Sequence, residues 1–176
     1  MKEWIKDILF AVVIAVIVIQ FIKPTVVKQS SMEPNFYEND YLFVSKQSYK
    51  LFGEPHRGDV VVVHSSLVQD NGDEKMLIKR IIGLPGEVID IKDGEVYIDG
   101  ELLEEDYIKE DYTSGEIDGL VIPEGQVFCM GDNRRVSIDS RDASVGCVKI
   151  EDIVGKVVLR VYPFSQFGLI QNPYEE

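Results

Sequence analysis

The feature that most constrains this chain is the uncharged run from Ile8 to Ile22, reading Ile-Leu-Phe-Ala-Val-Val-Ile-Ala-Val-Ile-Val-Ile-Gln-Phe-Ile. Such a run, at 15 residues, falls short of the roughly 20 that a helix needs to cross the hydrocarbon core. Trp4 can sit at the interface, and Lys6 and Lys23 can snorkel outward, which makes up the difference. A cleaved signal peptide has an apolar core of similar length, but small residues should then mark its cleavage site. Here the bulky Phe21-Ile22-Lys23-Pro24-Thr25-Val26-Val27 follows instead. The expectation is therefore an uncleaved single-pass anchor over 8–22 behind a short tail over 1–7. Charge does not orient it, because Lys2 and Lys6 on one side balance Lys23 and Lys28 on the other. From Lys23 to Ser30 the chain can reach at most roughly 25–30 Å. Whatever Gln29-Ser30-Ser31-Met32-Glu33-Pro34-Asn35-Phe36 does is thus done close to a membrane surface.

Beyond the anchor, residues 23–176 read as one β-rich domain. Strands are expected over Tyr41–Ser45, from Gly58-Asp59 into Val60–Val63, over Met76–Ile82 and over Val154–Val161. Glu87–Ile91 and Glu95–Ile98 should form a hairpin about Lys92-Asp93-Gly94, with a second turn at Asp99-Gly100. Val121-Ile122 and Gln126–Met130 flank Pro123-Glu124-Gly125, and no amphipathic helix stands out after residue 36. The fold class expected is mostly β behind a single N-terminal transmembrane helix.

A net charge of −13 argues against nucleic acid as a partner, since phosphate binding calls for Lys and Arg patches. Much of the acid lies in Glu101–Asp118, which reads as a solvated face, an acidic variable insertion over about 99–120. Cys129 and Cys147 sit in apolar surroundings, either as two buried thiols or as one disulfide, and their spacing suits no zinc site.

Four segments look unlike strand or turn filler: Ser31-Met32-Glu33-Pro34, Arg57-Gly58-Asp59-Val60-Val61, Ile78-Lys79-Arg80-Ile81-Ile82-Gly83-Leu84-Pro85-Gly86, and Gly131-Asp132-Asn133-Arg134-Arg135-Val136-Ser137-Ile138-Asp139-Ser140-Arg141. A serine nucleophile needs a base. The two histidines, His56 in a turn and His64 at a strand end, lie outside all four. Lys79 lies among isoleucines. A lysine at its ordinary value is neutral in roughly one molecule in a thousand near pH 7.5, whereas burial lowers that value and makes it a usable base. Arg80 cannot serve, because a guanidinium does not deprotonate. Strand alternation equally allows Lys79 to face solvent, with Ile78 and Arg80 sharing the other face.

In this order the four segments closely resemble the boxes of the bacterial type I signal peptidases, membrane-anchored Ser-Lys endopeptidases of the S26 type. The likeness runs from the anchor to about Pro163, leaving out only Asn71-Gly72 and the acidic middle. It implies Ser31, the serine directly before Met, as nucleophile in preference to Ser30, and Lys79 as general base. Ser137 would orient the lysine, and Asp139 with Arg141 would brace the site as an ion pair. Candidate substrate-pocket residues are Val27, Met32, Phe36, Leu77 and Ile78, each of which could equally be plain core. The implied reaction removes signal peptides with small residues at −1 and −3 from exported preproteins, through an acyl-enzyme and with no metal or cofactor. It would take place on the extracytoplasmic side of the cell membrane, in contact with lipid. Gln29 departs from the Gly or Ser common two residues before the nucleophile, which bears on the second oxyanion donor, and Asn35-Phe36 stands where Thr-Leu is common. The rival readings are a peptidase-like assembly factor for pilus or cell-wall polymerisation, and a self-cleaving repressor. The Ser31 and Lys79 pair speaks against the first, and the anchor and acidic charge against the second.

Overall fold

The computed structural model describes residues 2–49, 53–68 and 74–175; Asn71-Gly72 falls outside them. Helix α1 spans Lys2–Phe21. It starts ahead of the uncharged run, and its stretch from Trp4 to Phe21 has a mean hydropathy of 2.2. Trp4, Ile5, Ile8, Leu9 and Phe10 are all exposed, so the helix packs its apolar surface on no part of the protein there. An apolar helix with no protein to cover it is built for a lipid environment. It ends one residue earlier than the run does. Pro24 biases Lys23 toward extended backbone, and Ile22 already pairs with Ser45 in strand β1, Ile22–Val26. Pro24 fits there because β1 is an edge strand, where a missing N–H costs no ladder bond. Lys46 closes the helix end, its backbone N–H donating to Phe21 O at 2.9 Å and its ammonium to Ile19 O at 2.9 Å.

Behind α1 the chain forms β2 (Tyr41–Ser45), β3 (Val60–Val68), β4 (Glu74–Gly83), β5 (Val88–Lys92), β6 (Glu95–Ile98), β7 (Glu101–Leu102), β8 (Ile117–Val121), β9 (Gln126–Met130), β10 (Val148–Lys149), β11 (Ile153–Tyr162) and β12 (Gly168–Leu169). One sheet runs in the order β1-β2-β11-β3-β4-β9-β10, with β12 on β11; a second, smaller one runs β7-β6-β5-β8. Every pairing is antiparallel. The mostly-β architecture with one N-terminal apolar helix is as expected. The β5–β6 hairpin also forms about Asp93-Gly94, both with positive φ (53° and 88°), as a tight two-residue turn requires.

The large sheet is covered on both faces. Val60 and Val62 pack with Val27, Met32, Phe36, Leu42 and Val44 on one side, while Val61 and Val63 pack with Leu77, Ile81, Val127 and Cys129 on the other. This two-sided burial explains why β3 opens with an unbroken β-branched run instead of an alternating one. It also leaves Lys79 no solvent face: the lysine shares its side of β4 with Leu77 and Ile81, opposite Val61 in register, and is 2% exposed. A third cluster of Ile82, Ile89, Ile91, Val96, Ile122 and Phe128 joins the small sheet to the ends of β4 and β9. Cys129 and Cys147 are free thiols.

The acidic middle departs from expectation. Glu101, Glu116 and Asp118 are solvated, but Tyr107 and Thr113 are buried, and only 6% of the Glu105 side chain is exposed. The segment between β7 and β8 therefore lies against the large sheet as well as facing water.

Candidate active site

Ser31 sits in a one-turn 3-10 helix, Ser30–Met32, entered from the extended backbone of Gln29. Met32 and Phe36 anchor the turn in the core at 1% and 2% exposure. Its carbonyls are taken from outside: Asn133 N–H donates to Ser31 O at 3.0 Å and Asn133 Nδ2 to Ser30 O at 3.1 Å. The approach is close enough that a Cβ on Gly131 would lie 2.4 Å from Ser31 O, so only glycine fits at that position.

Lys79 Nζ donates to Ser31 Oγ at 2.9 Å, joining residues 48 apart in the chain. Burial pushes the amine from its ordinary 10.5 down to about 8, opposed by Asp139 and Cys129 and helped by Arg141. Next to it but pointing to the other face, Arg80 clasps Asp132 through Nε at 2.8 Å and Nη2 at 2.7 Å, and its guanidinium lies 4.3 Å from the centre of the Tyr107 ring. Asp139 is buried, which alone would raise its carboxyl. Arg141 Nε and Nη2, at 2.8 and 2.9 Å, together with Gly131 N–H at 3.0 Å, hold it below the usual carboxylate range. The Asp139–Arg141 pair thus forms, and it stiffens the loop that clamps the Ser31 turn.

Two cavities flank the pair. One, of about 220 Å³, lies between β1 and β4 and is lined by Thr25, Val27, Met32, Val62, Met76 and Ile78 as well as Ser31. The other, of about 330 Å³, holds Lys79 and Ser31 together with Gln29, Glu38, Leu77 and Ile138. Of the residues expected at a substrate pocket, Val27, Met32 and Ile78 line the first cavity and Leu77 the second. Phe36 lines neither; it is core, with the Arg160 guanidinium 4.7 Å above its ring. The hydroxyl of Ser137 is buried beside Gly131 and reaches Asp139, whose carboxyl it helps to hold down; no hydrogen bond runs from it to Lys79 among the described residues. Gln29 is exposed and borders both cavities. His56 pairs with Glu175 at the surface, 2.6 Å away.

Sequence reading missed Asn35, Tyr107 and Glu105. Asn35 Nδ2 donates to Asp132 Oδ2 at 2.8 Å and to Tyr107 O at 2.6 Å. Glu105 receives Arg134 Nη1 and Nη2 at 2.8 and 2.5 Å. One signal was available, since buried guanidinium groups must find carboxylates, but nothing local in the acidic segment says which acid turns inward.

The profile of the family described as "Signal peptidase, peptidase S26" matches residues 1–162. Over 93% of its length the chain is 35% identical to signal peptidase I of Bacillus licheniformis, spanning 90% of that protein. With signal peptidase I S of Bacillus subtilis the identity is 36% over 93% of this chain and 90% of the relative. With a probable signal peptidase I-1 from a Synechocystis species it is 37% over 95% and 85%. A solved signal peptidase I from Enterococcus faecalis superimposes with a TM-score of 0.48 at 33% identity, over 58% of this chain and 96% of that one.

Proposed function

The chain belongs to the signal peptidase family, peptidase S26, and its activity is that of a signal peptidase I, a serine endopeptidase acting on preproteins; on that premise we propose that Ser31 is its nucleophile and Lys79 its general base. One observation carries this reading: the buried amine of Lys79 lies 2.9 Å from Ser31 Oγ, with its value brought down to about 8. Neutral Lys79 takes the Ser31 proton as Oγ attacks the scissile carbonyl. The ammonium then protonates the departing amine, leaving an acyl group on Ser31. Lys79 next draws a proton from a water that adds to the acyl carbonyl, and returns it to Ser31 Oγ as that oxygen leaves the acid product, restoring the serine and the neutral amine.

The Ser31 backbone N–H is one oxyanion donor, and the side-chain amide of Gln29 is proposed as the second, a contribution of about 10²–10³ in rate where such donors have been removed. Asp139 and Arg141 keep the clamping loop in place. Ser137 is proposed to turn its hydroxyl to Lys79 once the ammonium forms. An extended signal peptide would lie between β1 and β4, gaining main-chain hydrogen bonds. The small residues at −1 and −3 then enter the cavity of Val27, Met32 and Ile78, near Leu77, with Phe36 beneath as its support. Membrane anchoring falls to the apolar stretch of α1, and the β domain that begins with β1 works on the extracytoplasmic face, where the mature ends of exported proteins emerge.

The test is cleavage of a preprotein with an Ala-x-Ala site in liposomes, across pH 6 to 10. Because the base must be neutral, kcat/KM should rise about tenfold per pH unit below Lys79's value and level off above it. A flat profile with chemistry limiting would rule out a titrating lysine.

A further inference from the structure

The acidic segment between β7 and β8 lies outside the four motif segments and has no part in the chemistry above. Its middle nevertheless contacts the turn past Ser31, the neighbour of Lys79 and the Gly131–Arg141 loop. Lys109 Nζ pairs with Glu33, two residues past Ser31, at 2.7 Å, and Lys109 N–H donates to Asp132 O at 3.0 Å. Tyr107 O receives Asn35 Nδ2, while the Tyr107 ring lies against Arg80, the neighbour of Lys79. Thr113 Oγ1 accepts from Arg134 at 2.6 Å, and Ser114 O accepts from Arg141 at 3.0 Å.

We propose that residues 105–114 are a positioning brace for the peptidase reaction, and that Asn35 and Tyr107 are its keystone. This rests on the Ser31–Lys79 reading. Ser31 and Lys79 come from elements far apart in the chain, a single 3-10 turn and strand β4, and the 2.9 Å bond between their side chains needs a tie between the two backbones to hold its length. Asp132 supplies that tie at one point: it receives Arg80 from the strand and Asn35 from the turn. Moving the Ser31 turn away from β4 means breaking the Asn35 bond at a carboxylate that is 0% exposed, or dragging Arg80 with it. Tyr107 closes the same junction by accepting the other Asn35 bond and stacking on Arg80. Tyr174 backs it, with ring centres 6.1 Å apart and edge to face, and with the hydroxyls at 3.1 Å. Asn35, the departure from the commoner Thr, thereby acquires a use of its own.

A segment that only stabilised the fold would change melting and nothing else, so the pH profile separates the two roles. Lys79 faces Asp139, Cys129, Arg141 and Asp132, and burial holds its amine down. If the brace slackens, water reaches Nζ and the amine climbs back toward its ordinary value, which carries the rising limb of kcat/KM to higher pH.

The experiment uses the full chain in liposomes, with Asn35→Ala, Tyr107→Leu, Tyr107→Phe and, in the same series, Lys79→Ala. Asn35→Ala and Tyr107→Leu should lower kcat about 10- to 100-fold, the loss expected for misplacement by about an ångström, with KM little changed and the limb moved to higher pH. Both Tyr107 variants keep the backbone carbonyl that Asn35 bonds, but only Tyr107→Phe keeps the ring against Arg80, so it should recover most of what Tyr107→Leu loses. The brace is refuted if Asn35→Ala, folded, keeps kcat and the limb of the parent, or if both variants lower only the melting temperature. Were Lys79→Ala to cleave as well as the parent, the dyad reading would fall and the brace with it, a failure visible without any of the brace variants.

Discussion

The loop Gly131–Arg141 and the acidic segment 105–114 press on the same dyad from two sides, yet they announce themselves in opposite ways. The loop carries its function in a short run of unusual composition: Asp139 and Arg141, two residues apart, pair with each other and hold Gly131 N–H, so the local spacing already contains the contact. In the acidic segment the important partners lie far off. Glu105 meets Arg134 across 29 residues, and Tyr107 meets Asn35 across 72. A motif is legible when its residues act on one another; a brace that acts on distant residues looks like solvated charge until the chain is folded.

The largest effect should come from the dyad itself. Ser31→Ala and Lys79→Ala should each reduce turnover by roughly 10⁴-fold or more while the circular dichroism stays that of the parent; residual activity near the parent's in either would remove the dyad from the mechanism. The next breaks the acidic segment from within. Glu105→Ala strands the Arg134 guanidinium, whose side chain is 0% exposed, and should cost about 3–5 kcal/mol of stability, read as a shifted denaturation midpoint. A small shift would mean that Arg134 finds another carboxylate and that the segment is dispensable.

Lys79→Met tests the site as a place where function works against stability. The folded amine, at about 8 against an ordinary 10.5, means that burying the ammonium costs about 3 kcal/mol. The cost is full below about pH 8, where both the folded and unfolded chains hold the proton. It fades between 8 and 10.5, where only the unfolded chain does. The methionine variant should therefore be inactive yet melt higher than the parent at pH 7, and the advantage should vanish above pH 10.5. An equal gain at both ends of the range would point to packing instead of charge. The smallest effects belong to the solvated part of the acidic segment: Glu116→Ala and Asp118→Ala should leave melting and cleavage unmoved. If they matched Glu105→Ala, the division of the segment into inward anchors and a wet face would be wrong.

Much of the scaffold could be read in advance because its signals are local. The uncharged run, the β2 boundaries at Tyr41–Ser45, and the turn at Asp93-Gly94 each depend on neighbours in the chain. The segment before Ser31 reads as strand-like, but the bounds of β1 at Ile22–Val26 are set only when β2 pairs with it, since Lys23-Pro24-Thr25 carries no strand period of its own. Phe36, which the resemblance allows as pocket or as core, is buried with Val27 and Met32 and lines neither cavity, a placement that only the fold of the turn around it decides.

By itself, then, the sequence determined an apolar helix at one end, a β-rich domain behind it, and the residue types from which a Ser-Lys site can be assembled. Those follow from hydrophobic period, turn stereochemistry and side-chain acidity, which are properties of short stretches. Only the tertiary structure decided that Lys79 has no solvent face, that its amine lies against Ser31, and that Glu105 and Tyr107 turn inward among acids that otherwise face water. Burial lowers an amine or demands a partner for a guanidinium only after strands far apart in the chain have closed over it.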